Sequence, residues 1–137
     1  MEISYQEEHN IAASEFIDLL KRSTLAERRP IEDLERIQSM IDHADIMLTA
    51  RHGDKLVGVA RSVSDFTFCT YLSDLAVDEA YQHQGIGKQL LAETHLLYPE
   101  AKLILLAAPA AQAYYPKIGM EHSEHCFTID NLDKFKL

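Results

Sequence analysis

The stretch whose reading decides the fold runs from Leu75-Ala76-Val77 through DEAYQHQGIGKQLL, residues 78–91. A segment rich in Phe, Thr, Tyr, Leu and Val leads up to Val77, then come Gly85 and Gly87, and Ile86, Leu90 and Leu91 recur at helical spacing. The pattern predicts a central strand from Phe66 to Val77 and, after a glycine turn, a helix from Gly85 to Leu97 that Pro99 closes. A helix start leaves its first backbone N–H groups free and carries the positive end of the helix dipole. A strand that ends in such a turn suits a phosphate.

Two common phosphate loops fail against these residues. The P-loop requires Gly-Lys followed by Ser or Thr, and here Gln89 follows Gly87-Lys88, with Gln82 where the first glycine would stand. The dinucleotide fingerprint requires a third glycine at the position of Leu90.

Outward from the turn, the chain reads as a mixed α/β plan around one sheet. Residues 2–5 alternate weakly as a short edge strand, and Ile11, Phe16, Ile17, Leu19 and Leu20 mark a helix ending near Lys21–Ser23. A second helix is expected from Pro30, in its first turn, to His43, with Ile31, Leu34, Ile37 and Ile41 recurring every three or four residues and Glu32, Asp33 and Glu35 at its solvated start. From Asp45, IMLTA and KLVGVARSV flank Arg51-His52-Gly53-Asp54 as a hairpin. Lys102 to Ala108 reads as a buried strand, Pro109 to Lys117 as a short helix and Cys126 to Ile129 as a last strand.

Composition narrows the function classes. At 137 residues, 47% hydrophobic and 26% charged, the chain fits one globular domain over residues 1–137. A net charge of −9 disfavours nucleic acid and anionic membrane as partners and leans toward a cationic substrate. The acidic MEISYQEEHN start and the lack of a long apolar run predict a cytoplasmic protein. Cys69 and Cys126 sit in apolar surroundings and read as buried free thiols. His122 and His125 have no third partner in view, so no metal site is expected.

Gln82, two residues, Gly85, one residue, Gly87, preceded by Tyr81 and opening a helix after a strand, resembles the acyl-CoA signature of the GNAT acetyltransferase superfamily. Downstream, AQAYYPKIGM resembles that family's other recurring stretch, with Met120 where Phe is usual. The resemblance implies a mostly antiparallel sheet with splayed central strands, flanked by about four helices. It implies acetyl-CoA as co-substrate, with Gln82, His83, Gln84, Gly85, Ile86, Gly87 and Lys88 around the pyrophosphate and Leu75, Ala76 and Val77 along the pantetheine. The expected reaction is direct attack of a primary amine on the thioester in a ternary complex, without a covalent enzyme intermediate.

Tyr115, four residues before Gly119, matches the tyrosine that protonates the departing thiolate, with Tyr114 as the competing residue. Asp74 is the nearest carboxylate for a general base, although relatives often carry the carboxylate at the position of Ser73, and Asp74 could instead brace the sheet, leaving the amine proton to water. The acceptor is a small-molecule amine or a protein amine, and a homodimer is expected. The alternatives are a non-catalytic acyl-CoA-binding module on the same fold and a turn that serves only structure or another phosphate ligand.

Overall fold

The computed structural model describes residues 2–136. Of these, residues 2–106 form one compact unit and residues 107–136 a second. In the first unit, β1 (Ser4–Glu7), β2 (Ile46–His52), β3 (Lys55–Ser64), β4 (Cys69–Val77) and β5 (Lys102–Leu105) form one sheet in the order β1-β2-β3-β4-β5. The first four pair antiparallel in sequence, and β5 joins β4 in parallel. The crossover between those two carries α3 (Ile86–Leu97), as a parallel connection requires.

The sheet is covered on both faces. On one, α1 (Ala13–Arg22) and α2 (Leu34–Asp42) bury Phe16, Leu19, Leu20, Ile37 and Ile41 against Met47, Val59 and Ala76. On the other, α3 buries Ile86, Leu90 and Leu91. Gly58 lets it approach closely, because a Cβ there would lie 3.1 Å from Leu90 Cδ1 and 3.2 Å from Ile86 Cγ2. The near-continuous buried runs in β2 and β3 follow from this cover on both faces. No helix among the described residues is long and apolar enough to cross a membrane.

Several boundaries differ from the sequence reading. The second helix starts at Leu34, and Asp33 is its N-cap, accepting from the Arg36 amide at 3.1 Å, so Pro30 precedes the helix. The strand expected from Phe66 starts at Cys69. Asp65 Oδ1 accepts from the amides of Thr67, Phe68 and Cys69 and holds a tight turn in which Phe66 takes a φ of 69°. Cys69 is half-buried and Cys126 exposed, so the expectation of two buried thiols does not hold.

In the second unit, Pro109–Ala111 forms a single 3₁₀ turn and α4 spans Tyr114–Lys117. Residues 126–129, expected as a strand, form none. Alternation supplies only a propensity, and a strand needs a ladder partner. Local turns satisfy the backbone near this segment instead: Ser123 Oγ accepts from the His125 amide, and Asn131 Oδ1 from the Asp133 amide.

Candidate functional site

The turn between β4 and α3 is pinned at both ends. At its start, Asp78 is buried, accepts from the Ala80 amide at 2.9 Å, and pairs with the Arg22 guanidinium at the end of α1. Burial pushes the Asp78 carboxyl up, but the Ala80 amide and Arg22 outweigh it and hold the group below the usual carboxylate range. The Tyr81 hydroxyl is within 2.8 Å of His52 Nδ1 on the hairpin, and the Lys55 ammonium lies 5.4 Å from the centre of its ring. Gln82 Nε2 donates back to the Val77 carbonyl at 2.9 Å, closing the turn onto the strand it leaves.

His83 (φ 64°) and Gly85 (φ 84°) both take left-handed backbone in the short path from Gln82 to the helix. Gly85 is the N-cap of α3 and offers no side-chain cap, so the first amides of the helix have no intrahelical partner and no capping oxygen. His83, Gln84, Gly85 and Lys88 are exposed, Gly87 is half-buried and Ile86 anchors the turn in the core. A Cβ on Gly87 would meet Val77 Cγ2 at 3.7 Å and Leu75 Cδ2 at 4.0 Å, which is ordinary contact. Nothing in the protein itself therefore demands glycine at 87.

Beside the turn, β4 and β5 part. Their pairing covers only Cys69–Leu72 against Lys102–Leu105, so among the described residues Ser73 to Val77 have no partner on the β5 side. The parting coincides with a bulge: Arg61 lies opposite Asp74 and Ser62 opposite Leu72, leaving Ser73 as the extra residue in β4. Bulges bend a strand and increase its twist. The result is a free backbone edge, from Ser73 to Val77, that runs into the uncapped helix start.

The bulge is held by charge. Both oxygens of Asp74 are engaged by guanidinium Nε atoms, Oδ1 by Arg29 and Oδ2 by Arg61, and the carboxylate is fully buried. The same arginines reach Ser73: Arg29 donates to its carbonyl at 2.7 Å and Arg61 to its hydroxyl at 3.0 Å. Sequence reasoning placed Asp74 at the site but missed Arg29 and Arg61. The signal was available for Arg61, since a charge in the middle of KLVGVARSV requires a buried partner of opposite sign.

In the second unit, Tyr115 is half-buried and its ring meets that of Tyr114 edge-on, with centroids 5.3 Å apart. Burial, and secondarily Tyr114, raises the Tyr115 phenol above its ordinary value, so it keeps its proton well into alkaline pH. His122 and His125 are exposed, and no cluster of metal-ligating side chains exists among the described residues.

Comparison with known proteins places the fold in a family. Residues 12–120 match the model of the acetyltransferase (GNAT) family. The chain belongs to the GNAT family. A soybean (Glycine max) protein described as histone acetyltransferase TAP1 is 36% identical over 70 residues, which are 49% of this chain and 30% of that one. The chain thus spans about a third of the length of that relative. A GNAT family acetyltransferase from Streptococcus pneumoniae TIGR4 superposes with a TM-score of 0.79 at 22% identity, covering 98% of this chain and all of the other. AAC(6')-Iy, solved with the bisubstrate analogue CoA-S-monomethyl-acetylneamine, superposes with a TM-score of 0.72 at 15% identity over 96% of this GNAT chain and 99% of its own.

Proposed function

We propose that this GNAT chain is an acetyl-CoA-dependent N-acetyltransferase acting on a primary amine by direct attack in a ternary complex. The observation that carries the reading is the free edge of β4 from Ser73 to Val77, which leads into an uncapped helix start with Gly87 beside it. The cradle fits the group: extended backbone suits the amides of pantetheine, and free N–H groups suit a pyrophosphate. A glycine whose Cβ the protein could accommodate leaves its space to a ligand.

In this reading the amides of Gly85, Ile86, Gly87 and Lys88 hold the pyrophosphate, Gln82 fixes the turn, and His83 and Gln84 shape its outer side. The backbone of Leu75, Ala76 and Val77 aligns the pantetheine. Acetyl-CoA, when bound, supplies the acetyl group as an activated thioester. Tyr115 holds the proton that the departing sulfur requires, and its raised pKa keeps that proton in place at neutral pH. Asp74 holds the bulge rather than acting as the base, because both of its oxygens are occupied and none of it is exposed. The acceptor amine then loses its proton to water.

The acceptor is a cationic amine, in keeping with the net charge of −9. One relative is named a histone acetyltransferase and one structural neighbour was solved with the bisubstrate analogue CoA-S-monomethyl-acetylneamine, and an amine acceptor is in keeping with both names. The family match crosses from residue 12 to residue 120, which favours one functional domain, and a homodimer completes the proposal. The test is thermal melting with acetyl-CoA, CoA, ATP and NAD, followed by an amine panel read as released thiol. A rise in melting temperature with acetyl-CoA and CoA alone, plus thiol release with at least one amine, is expected. CoA binding without transfer to any amine would assign a binding module, and no shift would make the turn purely structural.

A further inference from the structure

Toward the C-terminal end of α3, away from the glycine turn, a cavity of about 380 Å³ lies between that helix and the edge strand β1. Leu48 of β2 and Leu96 and Leu97 of α3 form its apolar wall, and Tyr5, Glu7 and Glu93 add polar groups. Tyr5 and Glu7 pair with Ala50 and Leu48, so by alternation they stand on the sheet face that α3 covers. Glu93 follows Ile86 by seven residues and Leu90 by three, the spacing of the buried stripe of the helix. An apolar side chain there would seal helix against sheet.

Instead the position carries a carboxylate whose Oε2 is buried with no hydrogen-bond partner among the described residues. Such an oxygen bears its full desolvation cost unless a donor or a cation completes it. Glu7, the second carboxylate, is paired with His9 at 2.8 Å, so it has a partner where Glu93 Oε2 has none. The combination of one orphan anionic oxygen with a wall of three leucines selects for a ligand that is cationic at one end and apolar along its length.

We propose that this cavity binds a small alkylammonium ion, with its charge on Glu93 and its chain against Leu48, Leu96 and Leu97. The site is separate from the glycine turn, since Glu93 lies eight residues along α3 from Gly85, about 12 Å at the helical rise. The inference stands whether or not the turn holds acyl-CoA.

The experiment is an amide chemical-shift titration of the ¹⁵N-labelled protein with hexylammonium, with 1-hexanol and ethylammonium as controls. Saturable shifts confined to Tyr5–Glu7 and Glu93–Leu97 are expected, at least tenfold weaker for 1-hexanol, which lacks the charge, and weaker for ethylammonium, which lacks the chain. Glu93→Gln should lose at least tenfold in affinity with no fall in melting temperature and with the rest of its spectrum retained. Leu96 is largely exposed, so Leu96→Ala folds and should weaken hexylammonium about threefold, which keeps the test open if the Glu93 variant fails to fold. Shifts elsewhere, equal binding of 1-hexanol, unaltered affinity in Glu93→Gln, or no shift up to the solubility limit would each overturn the proposal. Acetyl-CoA melting shifts serve as the separate readout of the turn.

Discussion

Gly85 and Gly87 stand two positions apart and are glycine for different reasons. At Gly85 the φ of 84° is the cause, and Gly85→Ala is expected to cost about 1–2 kcal/mol of left-handed strain, read by urea unfolding. At Gly87 a Cβ meets only ordinary contacts, so Gly87→Ala should leave the unliganded protein as stable or more so by up to about 1 kcal/mol. Its acetyl-CoA affinity should fall at least tenfold, and retained affinity would remove the phosphate assignment. Tyr115→Phe is expected to lower kcat far more than it changes KM for acetyl-CoA. Because burial raises the Tyr115 phenol, its ionisation lies above pH 10, and any alkaline fall in rate below that belongs to another group. Asp74→Asn leaves two guanidiniums around a neutral amide and should cost about 3–5 kcal/mol of stability in urea. A stable Asp74→Asn protein with lost turnover would return Asp74 to the role of base.

At the scale of elements, the splay of β4 from β5 is the structural fact on which the site depends. Half of it was legible in the sequence: the strand into Val77, the turn and the helix to Leu97 all lie where hydrophobic spacing puts them. The bulge at Ser73 was not, because an extra residue leaves no trace in an alternating pattern whose register depends on the partner strand. Arg29 was equally hidden, since its partner Asp74 is 45 positions away and only the fold brings them together. The missing strand at residues 126–129 shows the converse, a pattern present in the sequence with no ladder to realise it. Packing between elements gives a further expectation at Gly58, where α3 comes closest to the sheet. A Cβ there faces Leu90, Ala50 and Ile86 at 3.1–3.2 Å, and the gain in strand propensity from alanine is below about 1 kcal/mol. Overpacking exceeds it, so Gly58→Ala should destabilise by about 1–2 kcal/mol, and Leu90→Val in the same chain should recover part of that loss in urea.

At the scale of the molecule, charge sets the response to acid. At pH 7 the chain carries a net charge of −9, and this self-repulsion eases first as acid adds protons to the chain. The specific pairs give way later. Glu8, held by the Arg51 fork at 2.8 and 3.1 Å, has its carboxyl lowered from 4.5 to about 2, chiefly by the hydrogen bonds from Arg51. Arg51 also grips Glu15 through two bonds of 2.9 and 3.0 Å, so one guanidinium ties the end of β1, the start of α1 and β2 together. A carboxyl lowered on folding contributes stability that is fully present above its unfolded value near 4.5 and is lost as pH falls through about 2. Asp78 and Asp65 are lowered as well and act in the same direction. Stability measured by urea should therefore be highest at about pH 5–6, where repulsion has eased and the pairs are intact, and decline steeply below about 4.5. Glu8→Gln should be less stable than the parent at neutral pH, and the gap should close as pH falls through about 2, because the parent carboxyl is then protonated too. A gap that stays constant with pH would mean that Glu8 acts by packing and neutral hydrogen bonding to Thr49 rather than through its charge on Arg51.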